Sequence, residues 1–381
     1  MTKILVEILG ADALEAMMRP TADAAGMPST AYTSEAFFEL ENASLWRRTW
    51  VCAGFAHDVP NAGDTMPVEL ADVPLMLVRD RDGAINVFFN ACRHRSMKVL
   101  PEARKDCVRL TCPYHGWSYD LDGSLKATPR FGGPGSDTVE HHDRSKLGLV
   151  PVRAEKWHDW IFVNIDGTAA PFADYAKPMI DRLAPYDLSA LRHTVTIDFE
   201  IKANWKLIQE NFVECYHNHF VHPTIDRVVP ATDHYMVMDG QVMGLGNRSP
   251  FDDDPEICLP RFPDLPDELL EDGHYYHLFP SLDINVWRDQ VTTMQVLPAG
   301  PDRTRERYDI YLIGNAATDA KFETKRREAI DAWKMVNDED VEVVERLQEG
   351  HRANISKGGI YSPYWETTVH HFHRLVLDAL R

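Results

Sequence analysis

Nowhere in the chain do roughly eighteen apolar residues follow one another, so no segment is expected to span a membrane. Cysteine is scarce, six in 381 residues, too few to staple a chain of this length with disulfides. Positive charge is in deficit. The 40 Lys and Arg stand against 59 Asp and Glu, a formal charge of −19, which repels phosphate backbones and anionic lipid and argues against nucleic-acid or membrane-surface binding. There is no internal repeat, no low-complexity tract and no Gly-rich dinucleotide fingerprint. Lys3, Glu7, Asp12 and Glu15 interrupt the N-terminal stretch, which lacks the apolar run of a signal peptide. A soluble, cytoplasmic protein is expected. The 44% hydrophobic and 26% charged content exclude general disorder, and the length suffices for more than one domain.

Residues 34–50 read as an amphipathic helix with Ser34 as N-cap and Phe37, Phe38, Leu45 and Trp46 on its apolar side. From there to about 165, short apolar runs (51–55, 74–79, 85–89, 160–165) alternate with Asp82-Gly83 and Asp122-Gly123 turn signals, the pattern of a small antiparallel β-domain. A strand is predicted at 194–202, with Val195, Ile197, Phe199 and Ile201 on one face. Asn204 then caps a helix over about 205–219. The proline- and acid-rich stretch 246–273 is expected to be irregular, a possible lid. Strands are expected at 282–288, 291–297 and 307–313, a long helix over 320–349 ending at Gly350 as C′ residue, and a last helix over 366–380.

Two Cys/His pairs occur in the β-region. Cys92-Arg-His94 and Cys112-Pro-Tyr-His115 give C-x-H and C-x-x-H, each expected at a turn tip from which two side chains converge on one metal centre. Two thiolates and two imidazoles suit tetrahedral zinc or a [2Fe–2S] cluster with Cys on one iron and His on the other. Cys107, between the pairs with no partner at ligand spacing, is read as a core thiol.

A second constellation lies in NWKLIQENFVECYHNHFVHP (204–223), where Glu214 and His217 fall one helical turn apart and His222 precedes Pro223. Two imidazoles there suit Fe(II), Zn or Cu, and an iron site would need a carboxylate from elsewhere. On the later helix Asp340 shares the seam of Trp333, Val336, Val343/Val344 and Leu347, while Asp338 faces the polar side with Lys334 and Glu345. An acid in an apolar stripe is costly unless paired or metal-bound, so Asp340 is the candidate ligand and Glu339 the fallback. His219 is read as supporting or surface, and the H-H-x-H at 370–373 as structural.

The run CRHRSMKVL followed by TCPYHGWSYDLDG resembles the Rieske signature, and N-W-K…E-N-x-x-E-x-Y-H-x-x-x-x-H resembles the catalytic motif of the α subunits of Rieske non-haem iron oxygenases. The resemblance spans roughly residues 40–350. It implies an α+β, helix-grip-like architecture: an N-terminal helical segment (1–45) belonging to the catalytic domain, a Rieske β-domain (46–165) and a mononuclear-iron domain (166–381). It implies a [2Fe–2S] cluster on Cys92, His94, Cys112 and His115, and Fe(II) on His217, His222 and Asp340, with O2 as co-substrate. Glu214 and Asn211 are the implied catalytic residues. In the family the acid three residues before the first His, usually Asp, links a cluster His of one subunit to an iron-bound His of its neighbour, which implies a homotrimer. The E-C-Y-H version resembles the branch that oxidises carnitine and betaines, by hydroxylation or N-demethylation; ring hydroxylation of an aromatic compound is the alternative. NAD(P)H electrons would arrive through a separate flavin/iron–sulfur reductase. A substrate cation would call for an aromatic cage, for which Tyr275, Tyr276, Phe279 and Trp287 are candidates.

Overall fold

In a computed structural model the described residues are 3–248 and 258–381. They form two compact units, Trp46–Ala169 and Met1–Leu45 with Ala170–Arg381.

The first unit is all antiparallel β. Strands β1 (Val51–Phe55), β9 (Trp160–Asn164) and β8 (Arg153–Trp157) form one three-stranded sheet, and β2 (Thr65–Leu70), β3 (Val73–Arg79) and β4 (Ile85–Phe89) a second. A third joins the short β5 (Leu110–Thr111), β6 (Ser118–Tyr119) and β7 (Leu125–Ala127). Both Asp-Gly signals are turns, closed by Gly83 N to Asp80 O (3.2 Å) and Gly123 N to Asp120 O (3.0 Å). A core of Met76, Val78, Phe88, Leu110, Trp117 and Tyr119 packs around Cys92 and Cys112, with Cys107 at its edge.

The second unit is built on a seven-stranded antiparallel sheet in the order β10-β16-β15-β14-β13-β12-β11. Its strands are β10 (Leu191–Ile201), β11 (His234–Asp239), β12 (Val242–Arg248), β13 (Asp272–Leu278), β14 (Leu282–Trp287), β15 (Gln290–Gly300) and β16 (Arg303–Ile313). Strands β12 and β13 escape the sequence pattern because burial runs nearly continuously along both rather than alternating. Of the segment 246–273, residues 246–248 close β12, 272–273 open β13, and 258–271 are irregular but for the single turn Asp267–Leu269; the rest of the expected lid, 249–257, lies outside the described residues.

Ser34 caps its helix by accepting from Phe37 N (3.3 Å), and the helix continues through a π-helical turn, Glu41–Trp46. Glu41 there pairs at 2.7 Å with Lys206, both side chains fully buried. Burial raises the Glu41 pKa and lowers that of Lys206, each opposed by the partner's charge; desolvation of both groups offsets most of their attraction. Asn204 caps the helix Trp205–Phe212 through Lys206 N (3.1 Å). That helix is shorter than the sequence predicts, stopping at Phe212 rather than near 219. The helix Glu323–Arg352 is longer, running through Gly350; its end is set by Asn354, in the left-handed region at φ +51°. It is tied down by buried Gln348, which donates to Tyr32 O (3.1 Å) and accepts from Asn204 N (2.9 Å). Leu347 on this helix is exposed, not on the seam; Asn337 and Gln348 take the buried positions.

Candidate functional site

The four Cys/His residues of the β-unit sit on two matching loops. Cys92 N donates to Met97 O (2.9 Å) and Ser96 N to Cys92 O (2.9 Å); Cys112 N donates to Trp117 O (2.8 Å) and Gly116 N to Cys112 O (3.1 Å). Each loop turns on a left-handed residue, Ser96 (φ +56°) or Gly116 (φ +71°). The same loop therefore serves both spacings, with His at the third position of one and the fourth of the other. Both thiols are buried, His94 is half-buried and His115 exposed, and the two imidazoles lie 4.7 Å apart, edge to face. Burial, with His115 and Arg95 nearby, lowers the His94 pKa, leaving a neutral ring fit to bind metal. Two buried thiols beside two convergent imidazoles are a donor set that fits a Rieske cluster. Two neighbours had no signal in ligand spacing. The Tyr119 hydroxyl accepts from Arg93 N (3.0 Å) and lies in hydrogen-bond contact with Cys92 Sγ (3.1 Å), and Trp117 stacks on His94 at 4.9 Å.

In the second unit the chain leaves the helix at Val213, whose N–H closes on Gln209 O (3.1 Å). Glu214 and His217 therefore meet across a turn, not along a helix face. Glu214 Oε1 lies 2.6 Å from His217 Nδ1 while its Oε2 accepts from Tyr216 N and from His217 N. Buried Cys215 pins this turn against Ala231 and Leu245; burial pushes its thiol up to about 12, out of reactive range. His222 closes the short helix Asn218–Val221 and Pro223 opens the next, Pro223–Asp226.

The ligand atoms of His217, His222 and Asp340 lie within 4.8 Å of one another. Asp340 Oδ1 is 2.9 Å from His222 Nε2 and 3.6 Å from His217 Nε2. On the far side of each ring a carboxylate takes Nδ1: Glu214 for His217, and Glu339 for His222 at 2.7 Å. With the proton of each ring on the Nδ1 that its carboxylate holds, as a metal ligand requires, both Nε2 lone pairs turn toward Asp340 Oδ1. Three electron-rich atoms facing one another call for a cation between them, and a carboxylate behind each imidazole is the usual support of a metal-binding His. The set fits a divalent iron held on one face. Burial disfavours a charged His222, but Asp340 and Glu339 outweigh it and raise its pKa. Glu339 thus proves to be the partner of His222 Nδ1, which adjacency to Asp340 alone could not distinguish from a ligand. His219 is largely exposed, on Asp226 at 2.8 Å. His370 and His373 are buried, His370 on Met17 O and His373 on Glu210 and Tyr361.

A cavity of about 350 Å³ opens beside these three residues; Asn211 and Glu214 are in its wall. Tyr275 and Trp287 line it, but Tyr276 and Phe279 do not: strand alternation sends Tyr276 to the other face, under Arg182, and Phe279 packs on Phe372. Tyr308 and Trp333, 6.1 Å apart, complete the aromatic wall.

A Rieske [2Fe–2S] domain family matches residues 49–140, and the ring hydroxylating alpha subunit (catalytic domain) family matches residues 188–381. The carnitine monooxygenase oxygenase subunit of Escherichia coli (strain K12) is 27% identical over 368 residues, 93% of this chain and 94% of its own. Choline monooxygenase, chloroplastic, of Beta vulgaris is 28% identical over 378 residues, 95% of this chain and 78% of its own. A crystal structure of a quaternary ammonium Rieske monooxygenase with a bound inhibitor superposes with a TM-score of 0.79 at 23% identity, over 96% of this chain and 98% of that one, a likeness of fold. The chain belongs to the ring-hydroxylating alpha-subunit family, as the terminal subunit of a Rieske non-haem iron oxygenase, an oxidoreductase with a [2Fe–2S] cluster and a catalytic iron.

Proposed function

We propose that this chain is the oxygenase component that uses O2 and reductase-supplied electrons to hydroxylate or N-demethylate a small quaternary amine or betaine. The observation that carries the reading is the aromatic-walled cavity beside His217, His222 and Asp340, since aromatic faces attract organic cations. Cys92, His94, Cys112 and His115 would hold the cluster, and His217, His222 and Asp340 the iron. When bound, the cluster supplies electrons and the iron the site at which O2 is activated.

The chain's own residues hold protons and positions. Glu214 and Glu339 keep the ligand rings oriented by accepting from their Nδ1–H groups. Apolar Ile208, Phe212 and Val336 keep water from the cavity, and Asn211 offers an amide to substrate. The chain works as a homotrimer in the cytoplasm, with Glu214 linking its His217 to a cluster His of the neighbouring subunit. A flavin/iron–sulfur reductase docks through a basic patch on the acidic surface that the −19 charge provides. The second reading, ring hydroxylation of an aromatic compound, is favoured by the same apolar walls. A screen of both substrate classes with a surrogate reductase and NADH decides between them. Formaldehyde or hydroxylated product from a quaternary amine supports the first reading; hydroxylated product from the aromatic compounds alone overturns it.

A further inference from the structure

Glu306, on β16, is 2% exposed and lines the cavity. A neutral group meets it: Asn337 Nδ2 donates to Oε1 at 2.6 Å. Asn337 stands one helical turn before Asp340 on the same helix, so the carboxyl is tied to the element that carries the candidate iron ligand. Tyr308 follows two residues later on the same strand face, and Trp333 lies against it. Tyr275 and Trp287, 5.9 Å apart edge to face, form a further part of the wall.

Besides Glu214 and Asp340 of the iron site, Asp289 also reaches this cavity, at the turn between β14 and β15. Among the described residues that line the cavity none is a lysine or an arginine. His234 lines it too, but burial lowers its pKa, so the ring is neutral at pH 7. Among the described residues the wall thus offers carboxylates and aromatic faces to a cation, and no lysine or arginine to an anion.

We propose that this cavity takes organic cations that carry no carboxylate, such as choline, in preference to zwitterions such as glycine betaine or carnitine, with Glu306 as the counter-charge to the ammonium group. The inference rests on the quaternary-amine reading above and sharpens it. An ammonium ion between Glu306 and the rings of Tyr308 and Trp333 supplies the charge that the buried carboxylate lacks. A zwitterion brings the same ammonium but must also bury its carboxylate beside Glu306 and Asp289, on a wall that holds no lysine or arginine among the described residues. Burial pushes the Glu306 carboxyl up to about 8, the behaviour of an acid whose ionised form awaits a partner.

Calorimetry on the iron-loaded protein, with choline, tetramethylammonium, glycine betaine, L-carnitine and indole as probes, tests this. Choline and tetramethylammonium should bind roughly tenfold or more tighter than either zwitterion. Glu306→Gln should lose at least that factor for choline with its iron content intact. Glycine betaine or carnitine binding as tightly as choline overturns the inference and leaves the quaternary-amine reading standing, as does unchanged choline affinity in Glu306→Gln. If indole binds and none of the four ammonium compounds does, the quaternary-amine reading itself fails. The ligand comparison needs no variant, so loss of iron in Glu306→Gln would not shield the inference.

Discussion

Glu339 and Asp340, adjacent on one helix, grip opposite nitrogens of the same imidazole: Glu339 Oε2 lies 2.7 Å from His222 Nδ1 and Asp340 Oδ1 2.9 Å from His222 Nε2. Consecutive helical residues point about 100° apart, so the ring must enter between them. The two acids are thereby given unequal tasks. Asp340→Ala should release the mononuclear iron and leave the cluster spectrum intact, read by iron per chain. Glu339→Gln should keep iron but weaken its retention by about 10- to 100-fold against a chelator, the usual effect of losing such a supporting partner. Iron loss in Glu339→Gln with full retention in Asp340→Ala would reverse the assignment.

Glu214→Gln tests the proposed route between subunits. The variant preserves size and hydrogen-bonding reach to His217 but not charge. Both metals should stay bound and the cluster should still be reduced by an external donor, while product formation collapses. Sedimentation should show a trimer in parent and variant alike. An active monomer would refute the route.

The cluster loops make a paired prediction. Cys112→Ser removes a thiolate and should abolish the visible bands of the cluster. Gly116→Ala leaves every candidate ligand in place but puts a Cβ at φ +71°, 3.4 Å from Pro129 Cγ. That conformation costs a non-glycine residue about 1–2 kcal/mol, so cluster occupancy should fall without vanishing. Normal occupancy in Cys112→Ser would remove Cys112 from the ligand set.

Glu306 gives the fold an unusual pH dependence. An unfolded glutamate ionises near 4.5, whereas burial holds this one protonated to about 8. Between those values the folded chain binds more protons than the unfolded one, so stability falls as pH rises through the window. Below it both states carry the proton and the penalty is absent. Glu306→Gln still accepts from Asn337 but cannot ionise. It should unfold like the parent at pH 4 and be more stable at pH 8 by a few kcal/mol, at about 1.4 kcal/mol per pH unit of the window. Equal denaturation midpoints at pH 8 would show that Glu306 is not desolvated.

Spacing and periodicity, read residue by residue, determined a good deal of this protein. Cys92, His94, Cys112 and His115 stood out because short-range Cys/His pairs are rare, and the residues next to them in sequence chose a cluster over zinc. Ser34 and Asn204 were legible as caps because a cap is made within three residues. Asp340 was legible from a 3.6-residue stripe, a local property of one helix.

Only the tertiary structure decided the rest, because those features are contacts between residues distant in sequence. Adjacency could not say which of Glu339 and Asp340 meets which nitrogen of His222, a ring more than a hundred residues upstream. Alternation along 275–287 could not tell that Tyr275 and Trp287 line the cavity while Tyr276 and Phe279 pack elsewhere, since both faces of the sheet are buried. Nor did any pattern point to Glu306. In sequence it is one acid among arginines, Arg305-Glu306-Arg307. Strand alternation sends Arg307 to Asp309 on the opposite face and leaves Glu306 inside, with Asn337 as its neutral partner.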